Sequence, residues 1–389
     1  MPKIKIAQVI TRLDWGGAPD IIRIISNHLN PEIYDLKLIT GPSKYPSAKT
    51  KEFLNKLNDR VIISPNLQRN INPLKDGLSL INLYRLFCRE KFDIVHTHSS
   101  KAGFIGRISA KMAGAPCIIY TPHGHIFYGY FGYWLTQVFI LLERVSALIT
   151  DKIIALTGAE ARDYEKFKVA PKEKLLTIHS GIEIKKFESK VNRMAKRKEI
   201  GIPESNLVVI CVARLVPIKG HKYLIDAANS VLSSRVRCTS SEVTFLFAGD
   251  GPLKAELKYQ VERLGLTQKI LFLGERKDVA ELLALSDIFA ISSINEGMCR
   301  AIIEAMAAGL PVVATDVCGI ANVVVNGKTG ILVPPKSSEA LEKAISLLIN
   351  TPITRHSMGS AGKERAEKFT LEKMISKIDQ LYTALKVKS

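Results

Sequence analysis

The sequence predicts an α/β protein built as two Rossmann-like, doubly wound domains facing each other across a cleft. Three observations carry this. Apolar runs of strand length alternate with helical patterns from end to end, the rhythm of a parallel sheet wrapped by helices. At 389 residues the chain exceeds what one hydrophobic core usually serves. The alternation also breaks once, over residues 181–201, a basic segment with few large apolar residues that reads as a linker plus an exposed helix.

In order, the strand-like runs of the first half are residues 4–10, 35–39, 94–98, 117–121, 152–156 and 175–179. Those of the second half are 207–213, 243–248, 270–273, 288–292, 311–315 and 330–333, with helices between them at 220–233, 252–264 and 300–308. This predicts one domain over 1–183 and another over 184–370. Residues 371–385 have apolar side chains near helical spacing, and a final helix in 371–389 is expected to pack back on the first domain.

Composition is that of folded domains, with 47% hydrophobic and 24% charged residues. The net charge of +18 leans toward the first half and favours anionic partners. No nucleic-acid-binding module accompanies it, so nucleic acid is not an expected partner. Six cysteines are scattered without a CxxC pair, as in a reduced cytoplasmic protein. The N-terminus reads as a first strand rather than a signal peptide, and charges interrupt the most apolar stretch, 134–156, before it reaches membrane-spanning length.

In doubly wound sheets ligands bind where strands give way to helices. The strongest such place is Glu296-Gly297-Met298-Cys299-Arg300-Ala301-Ile302-Ile303-Glu304, between a strand and a small-residue helix. The amides of Gly297, Met298 and Cys299 would face an anion at the helix start. The flanking carboxylates could accept hydrogen bonds from sugar or ribose hydroxyls, with Glu304 about two turns into the helix.

Other strand ends carry complementary groups. Gly16 and Gly17 form a turn that lets backbone amides approach a phosphate. His96 and His98 share one face of a strand, with Lys101 at the following helix start, and His123 is held on a tight bend between Pro122 and Gly124. Arg214 and Lys219 lie a short loop apart and could clamp a diphosphate, while Gly249 and Arg276 lie in further turns that could shape a base pocket. No Asp-x-Asp occurs, so no cofactor or metal is expected and diphosphate neutralisation falls to Arg214, Lys219 and amides.

Taken in order, Gly16-Gly17-Ala18, His96-Thr97-His98, Pro122-His123-Gly124, Arg214 with Lys219-Gly220, Gly249-Asp250-Gly251-Pro252, Glu296 with Glu304, Ala307 to Thr315 and Gly327 to Pro335 resemble the retaining GT-B glycosyltransferases of family 4. Within that family the histidine motifs resemble bacterial members that build lipopolysaccharide, capsule or exopolysaccharide. The resemblance implies a transferase that moves a sugar from a nucleotide diphosphate sugar to a lipid-linked saccharide. UDP is the nucleotide it implies first, with GDP the alternative.

The resemblance also implies roles. Glu304 would hold the ribose and Glu296 the sugar, while Arg214 and Lys219 steady the leaving diphosphate. His123 would meet the donor sugar, and His96, His98 and Lys101 would lie on the acceptor side. The first domain would take the acceptor and the second the donor. Asn322 stands where relatives often carry Glu, and Pro19 separates Ala18 from Asp20.

The aromatic run from Phe127 to Trp134, followed by apolar residues to Leu142, suits either a buried helix or peripheral contact with an anionic membrane on the cytoplasmic side. Rival readings of the whole are a sugar-nucleotide epimerase on the same scaffold and a non-catalytic nucleotide-sugar binding protein. Oligomeric state is not legible.

Overall fold

A computed structural model describes residues 2–14, 16–43, 48–128, 131–188, 191–233 and 242–386. It divides into two compact units, residues 1–181 with 371–389, and residues 182–370. The division falls two residues before the expected boundary. Ile182 belongs with the second unit because it bridges to Thr370 and its amide donates to the Phe369 carbonyl at 3.0 Å.

The first unit holds a seven-stranded sheet: β1 (Ile4–Ile10), β2 (Tyr34–Thr40), β3 (Val61–Ile63), β4 (Ile94–His98), β5 (Cys117–Thr121), β6 (Lys152–Ala155) and β7 (Leu175–Thr177). The order is β3-β2-β1-β4-β5-β6-β7 with parallel pairing throughout. Sequence reasoning missed only β3, whose three residues are too few to show a period. β4 and β5 are buried along their whole length, as expected of parallel strands covered on both faces. Register sets Gln8 of β1 beside His96 of β4, and His98 beside Thr121 of β5.

The C-terminal helix Leu371–Lys386 belongs to this unit. Its buried residues Leu371, Met374, Ile378, Leu381 and Tyr382 form a stripe at helical spacing. The Tyr34 hydroxyl donates to Asp379 at 2.6 Å, and Tyr382 is fully buried against Gln8 and His96 of the central strands β1 and β4.

The helix Tyr133–Leu148 is fastened by a buried ion pair. Arg107, with no exposed surface, donates to Glu143 at 2.8 Å and to the Gly103 carbonyl at 2.8 Å, and stacks 3.9 Å over the Tyr120 ring. Tyr120 in turn donates to Glu143 at 3.1 Å. The outer face of the same helix is bare: Tyr133, Trp134, Leu135, Val138, Leu141, Val145 and Leu148 are all exposed, Trp134 by 82%. The helix therefore packs into the core along one row only, with Ile140 and Ala147 against Tyr120, Phe127 and Tyr164.

The second unit has a six-stranded sheet: β8 (Leu207–Val212), β9 (Val243–Ala248), β10 (Ile270–Gly274), β11 (Ile288–Ile291), β12 (Val312–Thr315) and β13 (Gly330–Val333). All six follow the apolar runs read from the sequence. Their order is β10-β9-β8-β11-β12-β13, again parallel. The helix Arg193–Ile200, expected to be exposed, instead turns Lys196 and Arg197 inward. Arg197 donates to the carbonyls of Leu285, Glu204 and Asn206 and to Asp287, satisfying loop backbone that would otherwise lie unpaired.

Among the described residues no helix is long and apolar enough to cross a membrane.

Removing one member of the buried pair leaves the other uncompensated. Glu143→Ala is expected to cost about 3–5 kcal/mol, and Arg107→Met with Glu143→Leu to recover most of it. Urea unfolding reads both, and equal losses in the single and double variants would contradict the pairing.

Candidate active site

Each sheet reverses its strand order once, between β1 and β4 in the first unit and between β8 and β11 in the second. At such a point neighbouring crossovers leave on opposite faces and open a crevice at the strands' carboxyl ends.

In the second unit the loops after β8 and β11 lie side by side. Ser292 donates to the Gly220 carbonyl at 2.9 Å and Ile294 to that of Ile218 at 2.8 Å. This brings Lys219 into a direct ion pair with the Glu296 carboxylate, which also accepts from the Ser293 hydroxyl at 2.7 Å. Burial works against the Lys219 charge, but Glu296 and Cys299 more than offset it and the ammonium is held above its ordinary range. Arg214, half-buried at the end of β8, is close enough to push the other way. The structure thus brings Arg214, Lys219 and Glu296 together.

The loop carrying Glu296 and Gly297 is braced from behind. Gly319 donates to the Glu296 carbonyl at 3.1 Å, and a Cβ there would stand 1.9 Å from the Gly297 oxygen. Met298 and Cys299 are buried, and Cys299 occupies the N-cap of the helix Arg300–Ala307 without a side-chain cap. Glu304 is half-buried little more than one turn into that helix, nearer its start than the two turns expected, because the helix begins only at Arg300.

Gly249 and Arg276 have different places from this cluster. Gly249, at φ 148°, lets its strand end pack against the end of β8: an added Cβ would lie 2.0 Å from the Ala213 oxygen. Arg276 follows β10, two strands from β8, and donates to Asp278 at 2.8 Å with Glu199 3.5 Å away. Its guanidinium is held above its ordinary range chiefly by that bond to Asp278.

In the first unit, Gly16 is the N-cap of the helix Gly17–His28, with no side-chain cap. Among the described residues no atom lies within 4 Å of where a Gly17 Cβ would stand. Trp15 lies outside the described residues.

His123 is the non-glycine residue of the Pro122–Gly124 bend that adopts the left-handed conformation, at φ 59°. The Gly124 amide donates to Glu160 at 2.9 Å, and Glu160, fully buried, also accepts from Leu156 at 2.6 Å. Such strain persists only where the surroundings over-determine it. The His123 Nε2 faces His98 Nδ1 at 2.9 Å, while Nδ1 is buried with no hydrogen-bond partner. Burial pushes the imidazole down to about 3, so it is neutral at pH 7.

The acceptor-side expectation is corrected for His96 and His98. Both are buried, at 1% and 0% exposure, and offer no surface to an acceptor. They form a row behind His123, with ring centroids 4.1 Å apart, because they lie on the inward face of a central strand. Lys101 is paired with Asp76 at 2.5 Å and donates to the Asn70 carbonyl. It secures the segment before the helix Pro73–Glu90 instead of standing open.

Sequence reasoning missed Gln8, Tyr382, Ser293 and Glu160. Gln8 had a signal, a lone amide within the apolar run Ile6 to Ile10. Tyr382 had none, since its contacts come from the far end of the chain.

Comparison with known proteins identifies the family. The family described as glycosyl transferases group 1 matches residues 192–365, and that described as Glycosyltransferase Family 4 matches residues 15–186. An Escherichia coli UDP-Gal:alpha-D-GlcNAc-diphosphoundecaprenol alpha-1,3-galactosyltransferase is 31% identical over 98% of this chain and 97% of its own. The Staphylococcus aureus capsular polysaccharide biosynthesis glycosyltransferase CapM is 27% identical over 86% of this chain and 88% of its own. Among solved structures, Anabaena HepE in complex with UDP and glucose aligns with a TM-score of 0.80 at 23% identity, covering 98% of this chain and all of that one. Its likeness shows a shared GT-B fold of two Rossmann-like domains.

The bracing and open glycines should respond differently. Gly319→Ala forces the Glu296 loop to move and is expected to lower stability by about 1–3 kcal/mol, whereas Gly17→Ala stays within about 0.5 kcal/mol of the parent. Thermal unfolding of the two variants distinguishes them, and equal midpoints would contradict the bracing.

Proposed function

This chain belongs to glycosyltransferase family 4, and we propose that it is a retaining enzyme moving a sugar from a UDP-sugar to a lipid-linked saccharide acceptor in bacterial surface polysaccharide synthesis. The observation that carries this is the Lys219–Glu296 pair with Arg214 beside it, at the point where the second sheet reverses. The Escherichia coli relative takes a UDP-sugar and a diphosphoundecaprenol-linked acceptor by its name, which supports the donor and acceptor classes.

Breaking the bond between the sugar's C1 and the diphosphate oxygen builds positive character on the ring and negative charge on the leaving group. Arg214 and Lys219, with the amides of Gly297, Met298 and Cys299, are the groups proposed to stabilise that anion without reorganising. Lys219 turns from Glu296 to the diphosphate, which frees Glu296 to accept from sugar hydroxyls, and Glu304 accepts from the ribose. The acceptor oxygen bonds to C1 on the face the diphosphate leaves, and its proton passes to a diphosphate oxygen. His123 contacts the donor sugar, and Gly16 and Gly17 leave helix amides open to the phosphates. Residues 182–370 are thus the donor-binding unit, and the positive charge is supplied by the protein without a metal.

The exposed row on the helix Tyr133–Leu148 is proposed to rest on an anionic membrane face. Aromatic and aliphatic side chains there stand with Lys174, which donates to the Ala147 and Leu148 carbonyls at the helix end, a composition suited to headgroup depth. Flotation with anionic liposomes at low salt should carry the wild-type protein upward and leave Trp134→Glu/Leu141→Glu behind. Equal flotation of both proteins would refute the surface.

Transfer is tested by UDP release from a panel of UDP-sugars with a membrane lipid extract as acceptor. Lys219→Ala is expected to lower kcat by about 10²–10³-fold, with Glu296→Ala also impaired while UDP still binds. Epimer formation without acceptor, or unchanged turnover in both variants, would overturn the reading.

A further inference from the structure

Behind His123 runs a chain of buried polar side chains that the reaction described above does not use. Gln8, fully buried in β1, turns its amide nitrogen to the Tyr382 hydroxyl at 2.7 Å and its oxygen to His98 Nε2. The same hydroxyl faces His96 Nδ1 at 2.6 Å, and His96 Nε2 faces the Thr121 hydroxyl at 2.8 Å. His98 Nδ1 meets His123 Nε2 at the outer end. Six side chains from β1, β4, β5, the bend after β5 and the C-terminal helix are therefore linked in one unit.

The geometry points to Gln8 and Tyr382 as positioning residues that hold His123 as the tautomer protonated on Nε2, which leaves Nδ1 bare to accept from a ligand hydroxyl. The logic is one of matching donors to acceptors. A carboxamide oxygen only accepts, so the hydrogen of His98 lies on Nε2. Burial keeps all three rings neutral, so His98 Nδ1 is bare and accepts from His123 Nε2, which leaves His123 Nδ1 bare as well. On the other side the Gln8 amide donates to the Tyr382 oxygen. The tyrosine hydrogen then goes to His96 Nδ1, and His96 Nε2 donates to Thr121.

A half-turn of the Gln8 amide would reverse every link and put a hydrogen on His123 Nδ1. That nitrogen is buried and has no partner. A buried N–H without an acceptor costs more than a buried lone pair, so the first arrangement is favoured until a ligand arrives. A bare nitrogen suits a sugar hydroxyl, which must donate. The choice of partner atom on the ring is thus made two side chains away, by an amide held against the C-terminal helix.

The catalytic consequence rests on the proposed sugar transfer; the tautomer does not, and the two are read separately. Full-length protein labelled with ¹⁵N-histidine reports each ring's protonated nitrogen by NMR, with His123 assigned through His123→Ala. Wild-type His123 is expected to carry its hydrogen on Nε2. In Gln8→Leu, His98 loses the acceptor for its Nε2 hydrogen, so either arrangement leaves one buried N–H unpaired and His123 should divide between both forms. In Tyr382→Phe, which keeps the ring in its buried slot, the Gln8 amide loses its anchor and His123 should divide between both forms.

With UDP-sugar and acceptor, kcat should fall at least about tenfold in either variant while KM for the donor changes less than about twofold. Should Gln8→Leu fail to fold, Tyr382→Phe carries the test alone. An Nδ1-protonated His123 in the wild type, or an unchanged tautomer in a folded Tyr382→Phe variant, overturns the assignment. Tautomers as expected without any sugar transfer would instead remove the enzymatic reading and leave the positioning chain standing.

Discussion

The reversal of strand order within each parallel sheet is the constraint from which the candidate chemistry follows. Parallel strands require crossovers, and right-handed crossovers leave a crevice only where successive ones pass to opposite faces. In the first unit that point lies between β1 and β4, and in the second between β8 and β11. The Gly16–Gly17 turn follows the first of these strands, and the loops with Arg214, Lys219 and Glu296 follow the last two. None of these groups could be moved one strand along without losing the crevice.

The two units treat charge in opposite ways. The second gathers it: Lys219 and Glu296 neutralise one another, so their charges are retained at tolerable cost in a partly buried place. The first keeps it out of its histidine row, although it buries the Arg107–Glu143 pair under the helix Tyr133–Leu148. His96, His98 and His123 are pushed far below the ordinary histidine range by burial, and what they present is a directed lone pair or hydrogen.

The helix Tyr133–Leu148 shows how a costly interior arrangement supports an exposed one. Its inner row is anchored by Arg107, Glu143 and Tyr120, a buried polar set with mutual partners. An anchor of this kind fixes the helix rotation, which a uniformly greasy contact would not. The consequence is a stable display of aromatic and aliphatic side chains to solvent.

What the sequence by itself determined was the alternation of strands and helices, the two units, and the grouping of Arg214, Lys219, Glu296 and His123 at strand ends. Those features are encoded by neighbours in the chain: period-driven burial, turn residues and helix starts act over a few positions. Only the tertiary structure decided that His96 and His98 stand behind His123, that Lys101 is committed to Asp76, that Arg276 is held by Asp278, and that Gln8 and Tyr382 join the histidine row. Those outcomes depend on register between strands and on the return of the last helix to the first unit, a contact between residues 8 and 382 that no local pattern records. The physical reason is that a side chain's periodicity shows whether it is buried, whereas its partner is chosen by whichever distant segment closes over it.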